Sequence, residues 1–261
     1  MKISFIGFGN MAQAIARTLR NNRDYQIFAA SPSLAKGIND DGFHTDHDNL
    51  AVIKDADVIF LAVKPANLKT VLTQISPHLP PNCLLVSIAA GMSLSWLAQY
   101  CPTNQAIVRS MPNIPIAVQE GATPLIANDY VTNKQKYLIE QLFQASGLTT
   151  WVTKESDIDS LTALSGSGPA YVFLFMEAMI NAAKKLGLDE NIAHSFTLQT
   201  VLGAAHLAKN NTLELSALRK KVTSPSGTTA AALDILRQQG FEELIFQAMK
   251  AACERAQQLG S

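Results

Sequence analysis

The sequence carries no excess charge of either sign, with 21 Lys and Arg against 21 Asp and Glu. A neutral chain has no global basic field for recruiting nucleic acid or an anionic membrane, so neither is expected as a partner. Cysteine is scarce. Cys83, Cys101 and Cys253 are odd in number and widely spaced, which supports neither a disulfide framework nor a metal site. His44, His47, His78, His194 and His206 show no ligand spacing. They read as surface or packed residues, and no metal is expected. A long uninterrupted apolar run is also missing. The longest apolar helical stretch, Val172 to Ala183, is broken by Glu177 and Asn181, and reads as a core helix instead of a membrane span. Met1 leads directly into "KISFIGFG" with no signal-peptide pattern, so the expected location is cytoplasmic. There is no internal repeat and no low-complexity linker.

What is present is apolar and periodic. Hydrophobic residues make up 48% of 261 positions, enough for one large or two ordinary domains. "KISFIGF", "YQIFAA", "DVIFLAV", "CLLVSIAA" and "AIVRSM" are short apolar runs with little polar alternation, the signature of parallel strands buried on both faces. Helical candidates lie between them at Asn10 to Asn21, near Leu34 to Asn39, and at Asn67 to Ile75. This alternation predicts an α/β fold with a Rossmann-like, doubly wound parallel sheet over residues 1–153. From Ile158 to Leu259 the pattern is almost wholly helical, so residues 154–261 are expected to form a separate helical domain. Its stripes, such as Phe173, Met176, Ile180 and Ala183, suit an intrachain core or a second subunit equally well.

Within "FIGFGNMAQAI", Gly7, Gly9 and Ala12 form a G-x-G-x-x-A pattern after a strand and at the opening of a helix. Gly7 permits the tight turn, Gly9 admits a pyrophosphate, and Ala12 allows close helix–strand packing. The next strand ends in "AASPS", where an NAD-preferring fold carries an acidic residue for the ribose. Ser31 and Ser33 stand there, with Lys36 nearby. Hydroxyls and a cation tolerate a 2′-phosphate, so NADP(H) is favoured and NAD(H) admitted as a second cofactor. "AVKPAN" and "SIAAGM" fall at the ends of later strands, where ligands sit in such sheets. One stretch of the helical half, "VTSPSGTTAAALDIL" (Val222 to Leu236), crowds hydroxyls at a helix start. Two readings fit it: capping by Ser224 or Ser226 with Pro225 near the first helical position, or an anion site built on unpaired N–H groups.

Taken together, "FIGFGNMAQAI", "VIFLAVKP", "SIAAGM", "RSMPNIP", "EGAT", "LSGSGPAY" and "VTSPSGTTAAAL" resemble the pyrroline-5-carboxylate reductases over nearly the whole chain. The resemblance implies reduction of 1-pyrroline-5-carboxylate to L-proline with NAD(P)H. It implies cofactor contacts at Gly7, Phe8, Gly9, Asn10 and Met11, at Ser31 and Asn49, and at Ala62, Val63, Lys64 and Pro65, with Ile88, Ala89 and Ala90 on the nicotinamide side. It implies substrate contacts at Ser224, Gly227, Thr228 and Thr229, with Glu155 added from a stretch that matches less closely. Thr229 is the expected catalytic group, hydrogen-bonding the ring nitrogen. A homodimer through the helical domain is implied as well, with a higher ring of dimers left open. Two positions depart from the family loop: Ser226 stands where a second glycine is usual, and Lys221 where Asn is common. Ser226 is therefore expected in a conformation that glycine adopts more easily. The helix after "SGSGP" has no lysine before Lys184, whereas related β-hydroxyacid dehydrogenases carry a catalytic lysine there. That argues against a hydroxyacid substrate. The alternatives are reduction of another cyclic imine or of a β-hydroxyacid, or a non-catalytic NADP-binding regulator.

Overall fold

The computed structural model describes residues 1–259. Among them the chain runs β1 (Lys2–Ile6), α1 (Asn10–Leu19), β2 (Gln26–Ala30), β3 (Gly37–Ile38), β4 (His44–Asp46), α2 (Asn49–Ile53), β5 (Val58–Leu61) and α3 (Pro65–Ile75). It continues through β6 (Leu84–Ser87), α4 (Leu94–Ala98), β7 (Ile107–Ser110), β8 (Gly121–Ala127), α5 (Asn133–Gln144), β9 (Gly147–Trp151) and α6 (Glu155–Leu161). A π-turn over Thr162–Gly166 then leads to α7 (Gly168–Lys185), α8 (Glu190–Lys209), α9 (Leu215–Lys221), α10 (Thr228–Gln238) and α11 (Phe241–Leu259).

The five apolar runs become β1, β2, β5, β6 and β7, and their order β2-β1-β5-β6-β7 is the parallel, doubly wound core. Alternate side chains feed two faces. Phe5, Val58, Phe60 and Val86 pack with Ile15 of α1 and Phe143 of α5, while Ile59, Leu61 and Leu85 pack with Leu68 and Leu72 of α3. Phe5 and Phe60 stack at 4.7 Å. Each such side chain, fully buried, contributes about 1.5–3 kcal/mol. The complete sheet is nine-stranded and mixed, because β3 pairs antiparallel with β4 and β7 with β8.

Two expectations need correction. The stretch Leu34 to Asn39 is not helical. Gly37 has φ +150°, it pairs with Thr45 across the short β3–β4 ladder, and Thr45 Oγ1 donates to Ala35 O at 2.7 Å. Nor is Val172 to Ala183 a core helix within this chain, since α7 holds no buried residue. Length and composition alone would let Glu155–Lys185 cross a membrane; what its apolar side chains meet is a separate question.

The chain divides into two compact units: Met1–Pro169 with the stretch from Ala251 onward, and Ala170–Lys250. The first unit includes α6 and the π-turn, which are tied to the sheet. Arg109 of β7 pairs with Glu155 and Asp159, and Asn113 Nδ2 donates to Ser165 O at 2.9 Å. In the second unit only Ala193 and Thr197 are buried.

Candidate active site

The register of the parallel strands builds the candidate site of the first unit. Ile6 pairs with Ala30 and with Leu61, and Leu61 pairs with Ser87. The residues that follow these strand ends, Gly7, Ser31, Ala62 and Ile88, consequently leave the sheet along one edge. The strand order reverses between β1 and β5, the crevice where open α/β sheets bind ligands.

Gly7 has φ +86°, and a Cβ there would lie 2.7 Å from the Ala62 carbonyl group. Only glycine lets the β1–α1 turn lie so close to the end of β5. Gly9 is the N-cap of α1, with no side-chain cap and no atom within 4 Å of where its Cβ would stand. The helical ladder starts with Gln13 N–H donating to Gly9 O at 3.0 Å. The N–H groups of Asn10, Met11 and Ala12 precede it, and α1 has no acidic residue in its first turn. Space, free donors and the helix dipole suit a pyrophosphate, and Ala12, 1% exposed, makes the expected close packing. The residues present thus fit a dinucleotide.

Around this turn, Ser31 Oγ lies 3.3 Å from Ser33 Oγ, and Ser31 N–H donates to Asp46 O. Asn49 opens α2 and donates from Nδ2 to Gln74 Oε1 at 2.9 Å. Lys64 is exposed at the N-cap of α3, with Pro65 at the start of the helix. Ala62 and Val63 flank Gly7. Ile88 N–H donates to Leu61 O, and Ala89 N–H to Ser87 Oγ at 3.3 Å. Sequence reasoning missed Asp46. It ends β4, beside Ala30, and its Oδ2 lies 3.6 Å from Lys36 Nζ. The Asp48 N–H holds the Asp46 carboxyl below its ordinary range against partial desolvation, with help from the His47 N–H and Lys36. Lys36 therefore shares its charge with an ionised neighbour. The signal was weak, because "HTD" has neither length nor an apolar run to mark a strand.

The second unit holds the "TSPSGTT" stretch, and here the capping reading fails. The N-cap of α10 is Gly227, no side chain caps the helix, and Pro225 lies in the preceding turn. Gly227 N–H closes that turn onto Ser224 O at 3.1 Å, and Ser226 has φ +58°, the conformation expected of it. The first ladder bond is Ala231 N–H to Gly227 O, which leaves the N–H groups of Thr228, Thr229 and Ala230 at an exposed helix start. Ser224, Thr228 and Thr229 are exposed, and no acidic residue lies in the first turn. Just before the loop, α9 ends in Arg219, Lys220 and Lys221, so local charge also favours an anion.

Glu155 is placed differently from the rest of its expected group. It lies in the first unit, where its Oε1 accepts from Leu94 N–H at 2.9 Å and from Arg109 Nη1 at 3.0 Å. Arg109, 3% exposed, also donates through Nη2 to Asp159 Oδ1 at 2.6 Å. Among the described residues no group of three or more His, Cys, Asp or Glu is arranged to hold a metal ion.

The chain is 42% identical to the pyrroline-5-carboxylate reductase of Pseudomonas aeruginosa, covering 99% of this chain and 96% of the relative. The chain belongs to the pyrroline-5-carboxylate reductase family. Within that family it is also 35% identical to mouse pyrroline-5-carboxylate reductase 3, over 99% of this chain and 96% of that one. Residues 155–259 match the family described as pyrroline-5-carboxylate reductase dimerisation, and residues 2–91 match the one described as NADP oxidoreductase, coenzyme F420-dependent. A Plasmodium falciparum pyrroline carboxylate reductase solved with NADP bound superposes with a TM-score of 0.91 at 32% identity, covering 100% of this chain and 98% of that one. The Coxiella burnetii reductase gives 0.90 at 41% identity, covering 99% and 98%.

Proposed function

We propose that this chain reduces the cyclic imine 1-pyrroline-5-carboxylate to L-proline with NADPH, the last step of proline biosynthesis. The observation that carries this reading is kinship over almost the full chain with reductases so named. Both glycine-capped helix starts support it. The reaction adds a hydride to the imine carbon and leaves a proton on nitrogen, and NADPH supplies the hydride when bound.

On this reading, Gly7 to Met11 hold the pyrophosphate, Ser31 and Asn49 the adenosine ribose end, and Ala62 to Pro65 with Ile88 to Ala90 the nicotinamide side. Ser224, Gly227, Thr228 and Thr229 receive the substrate, with its carboxylate on the first-turn N–H groups of α10. Thr229 hydrogen-bonds the ring nitrogen. The protonated imine is already electrophilic and becomes a neutral amine, so no strong general acid is needed, and positioning supplies most of the catalysis.

The working form is a homodimer. Its support is the exposed apolar surface of the second unit, where Phe173 is 56%, Phe196 70% and Phe246 57% exposed; a monomer rarely leaves so much uncovered. A second copy is the assigned cover. The cytoplasm is the assigned location, and the free thiols of Cys83, Cys101 and Cys253 accord with a reducing compartment.

The test is NADPH oxidation by the purified chain with pyrroline-5-carboxylate, with a six-membered imine acid, and in reverse with 3-hydroxyacids and NADP. Fastest turnover of the five-membered imine is expected. Turnover of hydroxyacids alone would overturn the reading, and tight NADPH binding without any turnover would favour a regulator.

A further inference from the structure

We infer that Glu155, aimed by Arg109, is a positioning residue for the loop Ile88–Ser93 and acts on the cofactor side of the reaction through the backbone of Leu94. The inference rests on the reading of Ile88 to Ala90 as the nicotinamide side.

The loop is anchored at both ends. At its start, Ser110 Oγ donates to Ser87 O at 3.1 Å, Ala89 N–H to Ser87 Oγ at 3.3 Å, and Ile88 N–H to Leu61 O. At its far end the chain enters α4. Ser93 Oγ accepts from Trp96 N–H at 3.0 Å, and the Leu94 N–H, which has no acceptor within its own helix, donates to Glu155 Oε1 at 2.9 Å. That carboxylate arrives from 61 residues further along the chain.

Arg109 sets where the carboxylate lies. It neighbours Ser87 in the sheet and is almost fully buried. Its planar fork takes Glu155 through Nη1 and Asp159 through Nη2. The two carboxylates stand four residues apart on α6 and so share one helix face. Both fasten α6 to the sheet, but among the bonds described only Glu155 reaches the loop. This division of labour makes the role testable. A purely structural ion cluster would lose stability when either carboxylate is altered and would leave the cofactor alone.

The experiment compares Glu155→Ala, Glu155→Gln, Asp159→Asn and Leu94→Pro in the full chain. Leu94→Pro deletes the donor at the first position of α4, where proline is tolerated, and Ser93 already has the extended backbone that proline requires (ψ 158°); Leu94→Ala, which trims the same half-buried side chain but keeps the N–H, is its packing control. NADPH affinity is read by fluorescence titration without imine, loop protection by hydrogen exchange of the cofactor-free protein over residues 88–97, and stability by Tm. Glu155→Ala and Leu94→Pro should weaken NADPH about tenfold, the loss of one charge-assisted bond. They should also speed exchange in the loop. Glu155→Gln keeps an acceptor and should recover most of the affinity. Asp159→Asn should lower Tm with NADPH affinity unchanged. Wild-type affinity in folded Glu155→Ala and Leu94→Pro, or equal weakening by Asp159→Asn, would overturn the inference. A wild-type chain that fails to bind NADPH would instead overturn the cofactor reading on which it rests. Should Glu155→Ala not fold, Leu94→Pro and Glu155→Gln carry the same test.

Discussion

The helices α1 and α10 each begin on glycine without a side-chain cap, and they begin in nearly the same way. Gly9 before α1 has φ −77° and ψ −174°, and Gly227 before α10 has φ −85° and ψ 174°. Each follows a residue of positive φ within two positions, Gly7 at +86° and Ser226 at +58°. Three other helices are closed by a side chain instead: Asp48 caps α2, Thr132 forms a capping box with Gln135 on α5, and Asp189 caps α8. The shared construction leaves first-turn donors open to an anion in both places. The difference lies in what surrounds them. The α1 turn is wedged against the end of β5, where no Cβ fits, whereas the α10 turn is exposed and tolerates serine at the strained position. Packing dictates the first start, while the second stays exposed with its donors open.

Gly7→Ala attacks the packed start and should have the largest effect. The added Cβ meets backbone at 2.7 Å in a conformation of φ +86°. The expected cost is about 3 kcal/mol, with NADPH affinity falling roughly a hundredfold. Fluorescence titration and a thermal melt would check it, and unchanged binding would refute the assignment of this turn to the pyrophosphate.

Ser31→Asp leaves both helix starts intact and asks whether the first site reads more than a pyrophosphate. A carboxylate facing the 2′-phosphate should weaken NADPH by up to about a hundredfold and spare NADH. Equal KM changes for both cofactors would show that Ser31 is not at the ribose.

Thr229→Ala attacks the exposed start but keeps its backbone donors. It should cost about 1–3 kcal/mol in kcat/KM, a loss of roughly tenfold to a hundredfold, with NADPH affinity unchanged. Full activity in this variant would remove Thr229 from the reaction.

Ser226→Gly has the smallest expected effect and sharpens the contrast most. Glycine relieves the left-handed strain at the expense of backbone entropy, for a net gain of about 0.5–1 kcal/mol. Tm should rise by about 2 °C, with kcat/KM little changed. A large fall in activity would instead mean that the Ser226 hydroxyl has a contact of its own.

Both helix starts were legible as candidates because glycine, serine and proline act locally, through φ and through donors within one turn. Even so, the choice between cap and anion site at Ser224–Gly227 was not legible, since it depends on which way a few side chains turn. The strands β4, β8 and β9 escaped for another reason. "HTD" is short and polar, β8 contains Pro124, and β9 is an edge strand whose side chains are half exposed. Their partners, and not their composition, make them strands.

By itself the sequence determined the five parallel strands, the G-x-G-x-x-A turn and the change to an all-helical second half. Each rests on periodicity or backbone chemistry within a few residues. Tertiary structure alone decided that Gly7, Ser31, Ala62 and Ile88 emerge along one edge, that Asp46 stands beside Lys36, and that Glu155 serves Leu94 and Arg109. It also left the apolar stripes of α7 uncovered within the chain. These outcomes follow from strand register and from ion pairs spanning 46 and 50 residues, where the energy of a contact depends on which distant group arrives to meet it.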